Sequence, residues 1–202
     1  MDLGVSVVSL LETEVFTTET RRTHRDTEKN AELKMQIHFE GRARVVGDDV
    51  NTDYIISSTR KKESLDPHVL KTYLFEALTP SFAASVKSDD VLVAGKNFGC
   101  GSAMEIAVSV LLAAGFRAVL AQSFARTFYR NAINNGLVPV ECDTSTIKMG
   151  DALIVHLTER DVSAINKTSG QELIGNPLPA IMLEILEAGG LVPYFRLHPS
   201  GF

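Results

Sequence analysis

The sequence predicts an α/β domain with a mixed, partly parallel sheet, and three observations carry that expectation. Short continuous apolar runs, Val91–Ala94 and Ala118–Ala121, alternate with segments whose apolar residues recur at helical spacing, the signature of parallel strands joined by helical crossovers. Glycines close those segments, Gly115 after one and Gly136 after the next, where a left-handed residue ends a helix without strain. Beyond Gly150 the pattern changes. Leu153, Val155 and Leu157 alternate, then 162–165 and 172–174 flank Ser169-Gly170, which predicts antiparallel strands and a hairpin.

Taken in chain order, Ile37, Phe39, Ala43 and Val45 predict a bent strand interrupted at Gly41. Gly47-Asp48-Asp49 is turn chemistry, and Tyr54–Ile56 reads as a short strand. Asp66 and Pro67 are the cap and first position of a helix with Val69, Leu70, Tyr73, Leu74, Ala77 and Leu78 on one face, stopped by Pro80. Ile106, Ala107, Val110, Leu111 and Ala114 form the next helical face. Ser123 is placed to cap a helix over 124–134, and Leu137–Val140 follows as a strand that Pro139 assigns to an edge. A closing helix spans 179–188.

Composition excludes several classes. With 202 residues, 45% hydrophobic and 22% charged, the chain can bury one sizeable core or a domain with an appendage. A net charge of -5 argues against a sequence-independent grip on nucleic acid. Cys100 and Cys142 are too few for a disulfide framework or for the four thiolates of a usual iron–sulfur cluster. His24, His38, His68, His156 and His198 show no metal-ligand spacing, so no metal site is expected in this chain. No run approaches 18 apolar residues, so neither a membrane span nor a membrane partner is expected, and a cytoplasmic location is. Residues 1–34 hold one short apolar stretch, Val5–Leu11, and then a Thr-, Glu- and Arg-rich segment. They are read as an N-terminal extension, disordered or lying ahead of a true start at Met35, with the folded domain at 35–202.

The densest chemistry lies in Lys96-Asn97-Phe98-Gly99-Cys100-Gly101-Ser102-Ala103-Met104-Glu105. A glycine-rich turn between strand and helix aims backbone N–H groups at one point, and the positive helix end favours an anion there. Ser102 and Glu105 also fit an S-x-x-E capping box. Both readings suit the spacing. A dinucleotide fingerprint does not, because Met104 stands at its third glycine and no acidic residue follows at the ribose position.

Three segments then carry a family resemblance. Gly47-Asp48-Asp49-Val50-Asn51-Thr52-Asp53-Tyr54-Ile55-Ile56, Ala94-Gly95-Lys96-Asn97-Phe98-Gly99-Cys100-Gly101-Ser102 and Ser123-Phe124-Ala125-Arg126-Thr127-Phe128-Tyr129-Arg130-Asn131-Ala132-Ile133-Asn134 resemble, in unbroken order, the small subunits of 3-isopropylmalate dehydratase, the swivel domain of the aconitase superfamily. The resemblance implies a three-layer β/β/α swivelling domain. It also implies a hydro-lyase half-site that isomerises a small hydroxy acid, 3-isopropylmalate before homoaconitate or a methyl-substituted malate, by dehydration and rehydration. The cofactor, a [4Fe–4S] cluster, is then expected in a partner large subunit, within a heterodimer or heterotetramer, and not in this chain. Ser102 corresponds to the serine whose alkoxide takes the proton from carbon, with the amides of Gly101 and Ala103 holding its charge.

One departure stands out. The family reads G-S-S-R-E-H where this chain reads Gly101-Ser102-Ala103-Met104-Glu105-Ile106, so the arginine that grips a substrate carboxylate is Met104, and a thioether cannot replace it. Arg60, Lys61 and Lys62 lie where the family places its substrate-selecting loop, and Arg60 is the expected substitute. Asp53 is expected either to orient a catalytic group at the substrate or to cap a turn. Arg126 and Arg130, four apart on one helical face, are candidates for contact with substrate or partner, or for plain surface. A swivel-fold binding protein that has lost turnover is the competing reading, since the Met104 change permits it.

Residues 1–34 offer too little periodic apolar surface to join the core. Deleting them is expected to leave solubility and melting temperature as they are in the full chain. A truncated chain that precipitates or melts far lower would make the segment structural.

Overall fold

Residues 36–158 and 160–199 are described by a computed structural model; the expectations for residues 1–34 lie outside them. The strand that organises the rest is β1, Gln36–Val45, because it pairs in two modes. Its first seven residues run antiparallel to β5, Ala152–Thr158, in a register from Gln36 opposite Thr158 to Arg42 opposite Ala152. Its last three run parallel to β2, Val91–Ala94. A single seven-stranded sheet results, in the order β4-β3-β2-β1-β5-β6-β7. Ala118–Ala121 is β3, Val138–Glu141 is β4, Val162–Asn166 is β6 and Gln171–Ile174 is β7.

Side chains alternate across a strand, so each face of the parallel half has its own partner. Val91 and Val93, Ala118 and Leu120, Val138 and Val140 share one core with Leu153, Val155, Leu157, Val162, Ala164 and Leu173. The antiparallel half has therefore curled over to cover the parallel half. Leu92, Ala94, Val119 and Ala121 face the other way and pack against helices. Two sheet layers and one helix layer are the expected β/β/α arrangement. Proline-bearing β4 is an edge strand, as Pro139 predicts.

The helices are α1 (Thr52–Ile55), α2 (Ser58–Glu63), α3 (Pro67–Leu70), α4 (Phe82–Ser85), α5 (Glu105–Ala114), α6 (Arg126–Asn134), α7 (Ala180–Glu187) and α8 (Leu191–Leu197). Four differences from the sequence reading have local causes. Tyr54–Ile56 is not a strand: Asn51 accepts from the Asp53 N–H at 2.9 Å and caps α1 instead. The helix opened by Asp66 and Pro67 does not run to Pro80; it passes through a 3-10 turn at Lys71–Tyr73 and ends where Phe75 takes φ 54. Helix α6 begins at Arg126, because the Ser123 hydroxyl is engaged with Asn97 and not with a helix start. Helix α8 follows Gly189-Gly190, whose positive φ values restart the chain after α7.

Gly41 does not interrupt β1. A Cβ there would overlap the carbonyl of Asp89, in the turn that leads into β2. The absent side chain thus lets the β2 approach cross β1 where its pairing changes mode. Gly41→Ala is expected to cost about 1–3 kcal/mol through overpacking against backbone, read as a lower melting temperature. An unchanged melting curve would contradict that account.

Candidate functional site

Three loops meet at the carboxyl ends of the parallel strands. The first, after β1, is tied to the second, after β2, by a ladder of backbone bonds. Asp49 N–H donates to Lys96 O at 2.8 Å, Gly99 N–H to Val50 O at 2.8 Å and Thr52 N–H to Cys100 O at 2.9 Å. Side chains extend the ladder: Asp48 accepts from Lys96 N–H at 2.7 Å, Asn97 Nδ2 donates to Asp49 Oδ1 at 2.8 Å, and the Thr52 hydroxyl donates to Ser102 O at 3.0 Å. The third loop, after β3, closes the far side, with Phe98 N–H donating to Ser123 O at 3.0 Å and Ala125 N–H to Phe98 O at 2.9 Å.

Two glycines make this closeness possible. Gly99, at φ 77, lies against Phe128, and an added Cβ would overlap the phenylalanine's own Cβ and ring. Gly101, at φ 89, lies over the Asn51 amide, which a Cβ would approach to 2.5 Å. Beneath them Phe98 is fully buried, edge-on to Phe128 with centroids 4.9 Å apart. The loop is therefore held over an aromatic floor, through the N–H groups of residues 96–99 in its first part and through the carbonyl oxygens of Cys100 and Ser102 in its second, where N–H groups are left over.

The free donors lie in that second part. Those of Gly101, Ser102 and Ala103 donate to nothing among the described residues, and the Ser102 hydroxyl likewise has no partner. All three residues are exposed. Helix α5 starts behind them with Met104 at its N-cap and no side-chain cap. The capping box expected from Ser102 and Glu105 is thus overturned. Thr52 holds the Ser102 carbonyl and Gly101 turns the chain, which keeps Ser102 three residues short of the helix. What remains is a turn of free N–H groups at the positive end of a helix, suited to an oxyanion or carboxylate.

The cation beside Met104 is Lys61. Its Nζ contacts Met104 Sδ and pairs with Asp53 Oδ1 at 3.1 Å, and its side chain is 14% exposed. Hydrogen bonds from Ser58, at 2.6 Å, and from Lys61 hold the Asp53 carboxyl below its usual range. Asp53 thus belongs to a charged cluster on the loop. Arg60, expected to stand in for the missing arginine, points to other partners. Its Nε and Nη2 form a forked pair with Glu76 at 3.0 and 3.1 Å, Nη1 meets Glu63 at 3.1 Å, and the guanidinium lies 3.9 Å from the Tyr73 ring centre. Lys62 is exposed. Asn51 and Thr52, which the motif contains but to which the sequence assigns no role, are the cap of α1 and the tie to the Ser102 carbonyl; their signal is a capping pair directly ahead of an acid. Arg126 and Arg130 line a cleft that includes none of the loop residues.

The thiols do not fit an iron–sulfur cluster. Cys100 Sγ donates to Asp49 O at 3.4 Å, whereas Cys142 lies in the β/β core with its thiol pushed up to about 12 by burial. No group of three or more His, Cys, Asp or Glu side chains converges among the described residues. No helix among them is long and apolar enough to cross a membrane.

The aconitase C-terminal domain family matches residues 13–145. The small subunit 1 of 3-isopropylmalate dehydratase from Archaeoglobus fulgidus is 48% identical over 157 residues, 77% of this chain and 96% of that protein. The methanogen homoaconitase small subunit from Methanocaldococcus jannaschii is 43% identical over 159 residues, 78% of this chain and 91% of that one. A crystal structure of a 3-isopropylmalate dehydratase from the same organism superposes with a TM-score of 0.74 at 39% identity, covering 81% of this chain and 96% of the other.

Because Ser102 caps nothing, Ser102→Ala is expected to change stability by less than about 0.5 kcal/mol, the range of an exposed substitution. Gly99→Ala, forced to keep a left-handed backbone against Phe128, is expected to lose at least about 1–3 kcal/mol. Denaturant unfolding of both variants checks this. A Ser102→Ala loss near 1 kcal/mol would restore the capping role.

Proposed function

We propose a function on one premise: the chain belongs to the aconitase C-terminal domain family, among the small subunits of 3-isopropylmalate dehydratase. It is one half of a two-subunit hydro-lyase, with 3-isopropylmalate as the substrate, interconverted with 2-isopropylmalate by loss and return of water. A large subunit supplies the [4Fe–4S] cluster, for which the thiols of this chain are unsuited. One observation carries the reading: an exposed serine hydroxyl stands on a braced loop, and neither it nor the N–H groups of Gly101, Ser102 and Ala103 have a partner among the described residues.

Ser102 is the base in this reading. A serine hydroxyl surrenders its proton only if the alkoxide is stabilised where it forms, and fixed N–H groups do this without reorganising. The N–H groups of Gly101 and Ala103 flank it, and the first turn of α5 adds its dipole. Such stabilisation is weak in open water and grows when a partner covers the loop. Ser102 enters as the alkoxide, its own proton released to water; the proton taken from the substrate carbon then rests on Oγ and is given to carbon when water is returned, which restores the alkoxide.

Lys61 takes the carboxylate role that relatives of this family give to an arginine at Met104. One of its N–H donors meets Asp53 and another faces Met104, which leaves one for a substrate oxygen. A lysine binds as a point charge without the forked geometry of a guanidinium, so it holds a carboxylate but discriminates its orientation less. Asp53 positions Lys61. Arg60 braces the same segment through Glu76 and Glu63.

The test is turnover of the chain reconstituted with its large subunit, on 3-isopropylmalate, homoaconitate and citramalate. Ser102→Ala is expected to lower kcat by roughly 10²–10⁴-fold, the span of a lost general base, with an unchanged melting temperature. Lys61→Met is expected to raise KM with a smaller effect on kcat. More than a tenth of the wild-type rate in Ser102→Ala would reject Ser102 as base, and an inactive wild-type pair would favour the binding-protein reading.

A further inference from the structure

We infer that the cleft between α6 and the α7–α8 pair is a binding site for a small apolar carboxylate, separate from the Ser102 loop. Helix α6 is two-faced. Phe128 and Ala132 pack towards Phe98 and the loop, while Ile133 belongs to the β/β core that α7 and α8 close. Between these helices lies a cleft of about 840 Å³, walled by Ile133, Ile181, Met182 and Ile185. That volume falls in the range of small-molecule sites, and so does the lining: mostly apolar, with a few polar groups at fixed places.

The polar groups specify charge. Arg126 and Arg130 both line the cleft and stand one helical turn apart. Both are exposed, and neither makes an ion pair or side-chain hydrogen bond within the described residues. Glu184, on the opposite wall, accepts from the Tyr194 hydroxyl at 3.3 Å. Among the lining residues two unpaired guanidiniums stand against one carboxylate, so the lining is net positive; Glu141, outside the lining but close enough to act on Tyr129, accepts from Asn176 Nδ2 at 3.2 Å. A carboxylate can meet either guanidinium with paired hydrogen bonds, and an aliphatic body of a few carbons can cover the buried floor of Ile133 and Ile185.

The experiment titrates the full 202-residue chain with octanoate, and in parallel with octan-1-ol, by calorimetry and methyl NMR. Octanoate is expected to bind saturably with one-to-one stoichiometry, and octan-1-ol at least about tenfold more weakly, the worth of a charge-assisted pair. The double variant R126Q/R130Q is expected to bind octanoate no better than the alcohol. Met182→Trp, which fills the cleft from a half-buried position, is expected to abolish both, with an unchanged melting temperature. If that variant unfolds, the methyl shifts of Ile133, Ile181 and Ile185 in the wild type locate the ligand instead. The proposal is overturned by equal affinity for acid and alcohol, by absence of saturable binding, or by shifts confined elsewhere. It is overturned as well if sedimentation shows that this face is buried between two copies which R126Q/R130Q separates.

Discussion

The candidate site depends on how one threonine holds one loop. Thr52 binds the glycine turn twice, its N–H to Cys100 O and its hydroxyl to Ser102 O. Both contacts use acceptors of the turn. A backbone segment pinned by its carbonyl oxygens keeps its geometry while its N–H groups stay available. Residues 96–99 are pinned through their donors; had Gly101, Ser102 and Ala103 been held in the same way, the turn would be equally rigid and unable to receive an anion. Asn51 supports the arrangement by capping α1, which fixes the segment carrying Thr52. The positive φ of Gly101 then brings that segment within contact. The two Thr52 bonds hold the turn without using its donors, so rigidity and vacancy, the two requirements of an oxyanion site, are compatible here.

Charge near the loop is organised around a lysine shared between neighbours. Asp53 is kept ionised by Ser58 and Lys61, so Lys61 is not a free cation but one half of a pair. Its stem is largely covered, while the Asp53 side chain is 44% exposed. An anion arriving beside Met104 would meet a positive group already held in position, which reduces the ordering cost of a flexible side chain. The opposing cost is competition from Asp53 for the same ammonium. Arg60 shows the other outcome of local pairing: bound to two glutamates and stacked on Tyr73, it stabilises the segment without reaching outward.

Much of the fold was legible in the sequence, because period-two alternation and apolar runs report burial directly. The parallel strands, the edge position of Pro139 and the 169–170 hairpin all follow from patterns within ten residues. Errors arose where a tertiary contact outweighed local preference. Tyr54–Ile56 has β-forming residues, yet the Asn51 cap makes the segment helical. Ser123 looks like a cap, yet its hydroxyl satisfies Asn97 across a loop. Ser102 fits a capping box by spacing, and only the turn at Gly101 shows that the helix begins later. At the site, motifs located the loop and Ser102 within it. They did not tell Arg60 from Lys61, since adjacent residues on a short helix point about 100° apart and only the packed partners decide which one faces Met104.

The exposure of the loop has an energetic consequence for the proposed chemistry. Two unit charges 4 Å apart attract by about 1 kcal/mol in water and about 4 kcal/mol at the effective dielectric of a protein surface. An alkoxide on Ser102 in the free chain would face water and draw little from its N–H neighbours or from Lys61. Covering the same atoms with a partner surface multiplies each attraction without moving any of them. The loop is already in its working shape, held by Thr52 and floored by Phe98 and Phe128, so assembly need not reshape it. In the proposed reading, the small subunit therefore contributes a preformed arrangement of donors, and the large subunit contributes the enclosure that gives those donors their strength.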